Sequence, residues 1–206
     1  MSQIPKSDIL GVIFCGGRGS RLGGMSKMEI EVGGQSLLGH AAEHLRGAVE
    51  TVALSVKADT SLPANHDFEI IYDIQSDDDK PSVAVALVSA LGFAKDKGYA
   101  AILTLPVDTP FLPSDYAGAM IEAARGMTSV FAQHDGDMHG LHSLWKTSAY
   151  DKLYQHVMVE KNHRISALYN KPLSTFCAFT DVDKRHFLNI NTPENLEIAQ
   201  QHAAAS

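Results

Sequence analysis

An apolar run, DILGVIFC at 8–15, breaks directly into GGRGSRLGGMSK. A run this continuous, with no polar alternation, suits a strand buried on both faces rather than one. Such a strand needs a cover of helices above and below its sheet, and the rest of the chain offers them. The pattern predicts a helix over 36–46, with Ser36 able to cap it, then strands over 50–57 and 68–73. SVAVALVSALGFAKDK, 82–97, is apolar nearly all round and too long for a strand, so it reads as a buried helix. Further on come a strand at 99–106, a helix at 114–125, a strand at 127–133 and a short strand at 142–146. Residues 148–157 and 164–169 read as helical, 173–179 as a strand and FLNIN as a short extended piece. A last helix starts at Pro193 behind an N-cap at Thr192, and QQHAAAS is expected to fray. Strands alternating with helices imply an α/β layered fold with a mostly parallel sheet. With 206 residues and no visible repeat or linker, one domain over 1–206 is expected.

The glycine-rich stretch sets the chemistry. Residues 14–27 hold five glycines, two arginines and one lysine, at the carboxyl end of the first strand. That is where open α/β sheets place ligands. Gly16, Gly17 and Gly19 let backbone amides approach an anion closely, and Arg21 and Lys27 add charge. The arrangement describes a triphosphate cradle; a long turn is the plainer alternative. It is not a dinucleotide fingerprint, because Leu22 stands where the third glycine belongs. Nor is it a Walker A loop, because Ser26 precedes Lys27. The net charge of −7 argues against a nucleic-acid binder, so the local positive charge suits a small anion. Cys15 and Cys177 form no disulfide framework, no apolar run reaches membrane-spanning length, and MSQIPKSDIL lacks a signal-peptide pattern. A cytoplasmic protein without membrane or nucleic-acid partners is the expectation.

Two further segments carry function. In LPVDTPFLP, 105–113, Asp108 follows an apolar strand and sits between Pro106 and Pro110. A carboxylate there, beside a phosphate cradle, suits Mg²⁺, although an Asp capping the following helix is the bland alternative. In NINTPENL, Asn189 and Asn191 flank an isoleucine and face one side if extended. HDGDMHGLH, 134–142, reads as a hairpin turning at Asp135-Gly136 rather than a metal site. Cys15 and Trp145 read as packing residues, and DDDK, 77–80, as a solvated loop.

Taken in order, GG-x-G-x-R-L-G-G-x-x-K, LPVDTPFL and NINTPENL resemble the MobA-type molybdenum cofactor guanylyltransferases of the nucleotidyltransferase superfamily. The resemblance implies a Rossmann-like nucleotidyltransferase fold, with a mixed, mainly parallel sheet and helices on both faces. It divides the chain into a nucleotide-binding half, 1–105, and an acceptor-binding half, 106–206. It implies GTP over Cys15, Gly16, Gly17 and Gly19, with Arg21 and Lys27 on the phosphates, and Mg²⁺ on Asp108. Asp73, ending IIYD, and Ser55 would lie near the nucleotide. Asn189, Asn191 and Arg164 would face molybdopterin, with His139 beside them. Cofactor-biosynthesis or molybdoenzyme proteins would be transient partners. The chain departs from the family at Ser26, where Asp is usual before the lysine, and at Ser55, where Asn is frequent. It departs again at 82–86, SVAVA, where G-P-L-A-G is common. The last two changes fall around the base pocket. They leave open a related nucleotidyltransferase with another base or acceptor, such as a cytidylyltransferase, or a non-catalytic nucleotide-binding relative.

Overall fold

The computed structural model describes residues 4–16, 26–64, 66–74, 82–169, 171–180 and 182–205. In chain order the strands are β1 (Ile9–Phe14), β2 (Glu31–Val32), β3 (Gln35–Ser36), β4 (Thr51–Val56), β5 (Glu69–Tyr72), β6 (Ala101–Pro106), β7 (Ser129–His134), β8 (Asp137–Lys146) and β9 (Ser174–Ala178). The α-helices are α1 (Leu37–Arg46), α2 (Val83–Asp96), α3 (Tyr116–Ala123), α4 (Tyr150–Tyr154) and α5 (Pro193–Ala205). β1 is buried along its length, as its unbroken apolar run requires. Ile9 and Ile13 enter one core, with residues of α1, α3 and α5; Leu10, Val12 and Phe14 enter the other, with α2 and α4. The strand's alternation of side chains thus builds two cores from one run.

The main sheet has the order β5-β4-β1-β6-β8-β7-β9. β5, β4, β1 and β6 are mutually parallel. β8 runs antiparallel to both β6 and β7, and β9 returns parallel to β7. The sheet is therefore mixed and mainly parallel, with helices on both faces. No helix among the described residues is long and apolar enough to cross a membrane.

Most elements lie where the pattern puts them. Ser36 caps α1, its Oγ accepting from the Gly39 amide at 3.0 Å, and Ser82 caps α2 by accepting from Ala84 at 3.2 Å. β7 and β8 turn on Asp135 (φ 50°) and Gly136 (φ 83°), the two-residue hairpin expected there. Four expectations change. The strand at 142–146 extends back to Asp137, because the tight turn pairs His134 with Asp137 at once. FLNIN is not a strand: Phe187 closes a 3-10 turn over Lys184–Phe187, and Ile190 donates a single bond to the Asp108 carbonyl at 2.9 Å. The C-terminal tail stays helical to Ala205, because Ala203 packs against the core and His202 meets the Phe111 ring at 4.7 Å. The stretch 148–157 widens into a π turn, Gln155–Val159, and 164–169 is a 3-10 turn over Ile165–Leu168. The β2–β3 hairpin had no sequence expectation. DDDK lies outside the described residues.

Close packing of α1 on β1 depends on Gly11. A Cβ there would stand 2.9 Å from Val49 Cγ2 and 3.2 Å from Leu45 Cδ1, and both neighbours are buried. Gly118 in α3, by contrast, has open space around its missing Cβ. Gly11→Val should lower unfolding free energy by about 1–3 kcal/mol through overpacking. Gly118→Ala should raise it by about 0.5–1 kcal/mol through helix propensity. Urea titrations with unchanged m-values would check both.

Candidate active site

Four parallel strands end along one edge, and their last residues converge. The ladder continues past the strand ends through Cys15 N to Ser55 O at 3.0 Å, Val107 N to Phe14 O at 3.1 Å and Asp73 N to Val56 O at 3.1 Å. Beyond this edge opens a cleft of about 920 Å³. Gly16, Lys27, Ser55, Asp73, Asp108, Asn189 and Asn191 all line it. Residues spread over the whole sequence therefore meet at the position the strand order favours for a ligand. Gly17, Gly19 and Arg21 lie outside the described residues. Cys15 turns its side chain into the core, its thiol 3.6 Å from the Ile13 carbonyl, and burial pushes its pKa up to about 12. Its amide is taken up by the Ser55 carbonyl, and Cys15 does not line the cleft, unlike the nucleotide contact expected of it. Arg164 is exposed and does not line the cleft.

The centre of the cleft is a three-residue contact. Lys27 Nζ donates to Asp108 Oδ2 at 2.8 Å and also to Asn191 Oδ1. The Asp108 turn is fixed from three sides. Its carbonyl accepts from Ile190, Thr109 Oγ1 donates to the Pro106 carbonyl at 3.3 Å, and Thr109 Oγ1 also lies 2.9 Å from His142 Nε2. Asp108 Oδ1 is buried and has no hydrogen-bond partner. An acceptor oxygen of this kind fits a hard cation. Mg²⁺ takes one or two carboxylates and completes its shell with phosphate oxygens and water, so a single Asp is a sufficient protein ligand.

On the opposite side, Ser55 Oγ donates to Asp73 Oδ1 at 3.3 Å. Burial raises the Asp73 pKa above the ordinary carboxylate range, against the Ser55 hydrogen bond and the nearby Lys57 charge. The altered segment meets the cleft here: Ser82, Val83 and Ala86 line it, and Val83 is 47% exposed at the start of α2.

Several wall residues escaped sequence reasoning. Lys57 follows β4 and had no motif to mark it. Met138, Gly140, Leu141 and His142 come from β8, together with His139. Their signal was the histidine-rich hairpin, but only antiparallel pairing with β6 carries it to the cleft. Burial lowers the His139 pKa, with His134 adding to the effect, and pushes that of His142 down to about 3, so both imidazoles are neutral at pH 7. His139 Nε2 is buried without a partner. Both rings pack on Phe187, at 4.6 and 5.5 Å between centroids.

Residues 11–174 match the family model of the MobA-like NTP transferase domain. The chain is 31% identical over 200 residues to a molybdenum cofactor guanylyltransferase of Acidiphilium cryptum (strain JF-5), covering 97% of this chain and 98% of that protein. It is 30% identical over 193 residues to a protein of the same name from Cereibacter sphaeroides, covering 93% and 95%. Among solved structures, it is similar to molybdopterin-guanine dinucleotide biosynthesis protein A from Archaeoglobus fulgidus, with a TM-score of 0.75 at 18% identity, over 96% of this chain and 100% of that one. A 4-diphosphocytidyl-2C-methyl-D-erythritol synthase from Anaerococcus prevotii DSM 20548 gives a TM-score of 0.69 at 16% identity, over 97% and 99%. At such identities these two likenesses speak to the fold.

The Ser55–Asp73 contact is testable by titration. A carboxyl whose pKa is raised in the folded state stabilises the fold fully below its unfolded pKa. That contribution is lost as pH rises through the folded value. Ser55→Ala removes a bond that holds the Asp73 pKa down, so the pKa should rise further and the loss should extend to higher pH. Carbon-detected NMR titration of the Asp73 carboxyl would show it; an unchanged or lower pKa would refute the contact.

Proposed function

The chain belongs to the MobA-like NTP transferase domain family, and on that premise we propose that it transfers GMP from GTP to molybdopterin, releasing pyrophosphate. The observation that carries this reading is the Lys27–Asp108–Asn191 contact in the cleft, in a chain whose relatives of that activity align with nearly its whole length. Residues 1–105 would form the nucleotide side and 106–206 the acceptor side.

A terminal phosphate oxygen of molybdopterin attacks the α-phosphorus of GTP. One P–O bond forms, the bond from that phosphorus to the bridging oxygen breaks, and pyrophosphate leaves with the bonding electrons. The attacking phosphate is already anionic, so no side chain need remove a proton. Catalysis of this kind rests on positioning and charge stabilisation. Mg²⁺, when bound, supplies charge neutralisation on the reacting phosphate and the leaving group. Asp108 would hold it. Lys27, Arg21 and the amides of Gly16, Gly17 and Gly19 would bind the phosphates and stabilise the leaving pyrophosphate. Ser55 and Asp73 would orient the nucleoside. Asn189 and Asn191 would face the acceptor, and Arg164 would meet it only from outside the cleft.

Thermal unfolding with GTP, CTP, ATP or UTP, each with and without Mg²⁺, tests the reading. GTP with Mg²⁺ at 100 times its Kd should add about 2.7 kcal/mol of stability, and the other nucleotides much less. Asp108→Ala should abolish the Mg²⁺-dependent part. It should also slow pyrophosphate release in the presence of molybdopterin by about 100-fold or more. A shift with CTP in place of GTP would reject guanine as the base.

A further inference from the structure

Lys27 and Lys57 are the two cations among the described cleft residues, and they differ in what they hold. The Lys27 ammonium rests on the very carboxylate proposed above as a metal ligand, and on an asparagine from the acceptor side. The ion pair is sheltered, with 11% of the Lys27 side chain and 14% of the Asp108 side chain exposed. Charges interact strongly in such a site, because little solvent screens them. The two acceptors behave as one unit: the Ile190 amide donates to the Asp108 carbonyl at 2.9 Å, and Asn191 follows it directly. Asp108 is also braced by the Thr109–His142 contact. Lys27 is the adjustable partner, a point charge on a four-carbon stem. It opens the 3-10 turn Lys27–Glu29, whose Met28 is buried, so the backbone is anchored while the ammonium can swing.

A divalent cation approaching Asp108 would meet a positive charge only 2.8 Å from the oxygen it must bind. It would have to displace the ammonium or endure its repulsion. The phosphates of a nucleotide bound as proposed above would offer Lys27 a stronger anionic partner. We infer that Lys27 is an internal counter-cation: it blocks divalent cation binding at Asp108 until a polyphosphate draws its ammonium away. The inference rests on the metal role of Asp108 proposed above. It makes metal and nucleotide binding mutually dependent, since any coupling between two ligands is reciprocal. The same movement frees Asn191 Oδ1, so nucleotide arrival prepares the acceptor side as well. One lysine then links the phosphates, the metal ligand and the acceptor contact, and favours nucleotide and metal entering together.

Mn²⁺ without nucleotide is the probe, with free Mn²⁺ read by electron paramagnetic resonance at constant ionic strength. Lys27→Met removes the charge and the donor; Lys27→Gln removes the charge but keeps a donor for Asp108. Circular dichroism and melting curves would verify that each variant folds. Both should bind Mn²⁺ roughly 10-fold or more tightly than the unaltered protein, within the range of ordinary coupling between sites. Adding Asp108→Asn to either should cancel the gain. Equal Mn²⁺ affinity in all three Lys27 forms, still lost with Asp108→Asn, would overturn the counter-cation and leave Asp108 as a metal ligand. Failure of both Lys27 variants to bind Mn²⁺ would overturn the counter-cation, and the Mg²⁺-dependent part of the GTP-induced melting shift would then decide the metal role of Asp108 separately. In that case the GTP-induced melting shift would still report on nucleotide binding.

Discussion

Burial of β1 on both faces imposes most of this architecture. A strand that exposes neither face must have strands on both sides and helices above and below. β4 and β6 supply the neighbours; α1, α3 and α5 cover one face and α2 and α4 the other. Parallel neighbours can be joined only by crossovers, so the strand ends at the carboxyl edge emerge into loops rather than hairpins. Gly16, Ser55, Asp73 and Asp108 are the products of that constraint, each at or just beyond the end of a parallel strand. The close approach of α1 at Gly11 is the local condition that lets the layers meet.

The antiparallel strand β8 completes what the parallel strands begin. It runs back along β6 and brings Met138, His139, Leu141 and His142 to the cleft. A parallel strand in its place would start at the other edge and put its first residues far from the ligand. β8 also brings Ser143 and Trp145 into the core, and the polar atoms of both are satisfied. Thr104 Oγ1 donates to the Leu141 carbonyl at 2.7 Å, and Trp145 Nε1 donates to Ser143 Oγ at 3.0 Å. A satisfied buried network fixes register in a way that apolar contacts alone do not. The register matters here, because a slip of one residue would turn His142 away from Thr109 and unbrace the Asp108 turn.

Local features of the sequence were legible where the physics is local. The unbroken run of β1, the all-round apolar surface of α2, the Ser36 cap and the Asp135-Gly136 turn each act within a few residues. Asp108 was legible because two prolines and a strand end isolate it. What could not be read depends on distant partners. FLNIN has the apolar spacing of a strand, yet its backbone serves the Asp108 turn instead of a ladder. The alanine-rich tail lacks a strong amphipathic signal and is helical because Ala203 and His202 find partners from other elements. Lys57 carries no motif, and its place in the cleft follows only from the end of β4 lying beside Asp73. Arg164 shows the reverse case: proximity to a family position in sequence does not bring an exposed side chain into the cleft.

The support beneath Asp108 uses neutrality where charge would be harmful. His142 is fully buried next to Thr109, and desolvation drives its pKa to about 3, so it carries no charge at neutral pH. A protonated imidazole there would set a positive charge beneath the carboxylate and compete with Lys27 and any bound metal for its electrons. A neutral ring braces the turn by hydrogen bonding and by packing on Phe187, while leaving the Asp108 charge to partners within the cleft. The same reasoning explains why a carboxylate with one unpartnered oxygen is tolerated at low exposure. Lys27 balances its charge, the Ile190 amide fixes its backbone, and Oδ1 lies buried without a competing donor. Rigidity below and an exchangeable cation above are complementary. On the counter-cation proposal the braced turn stays in place and the lysine is the part that moves.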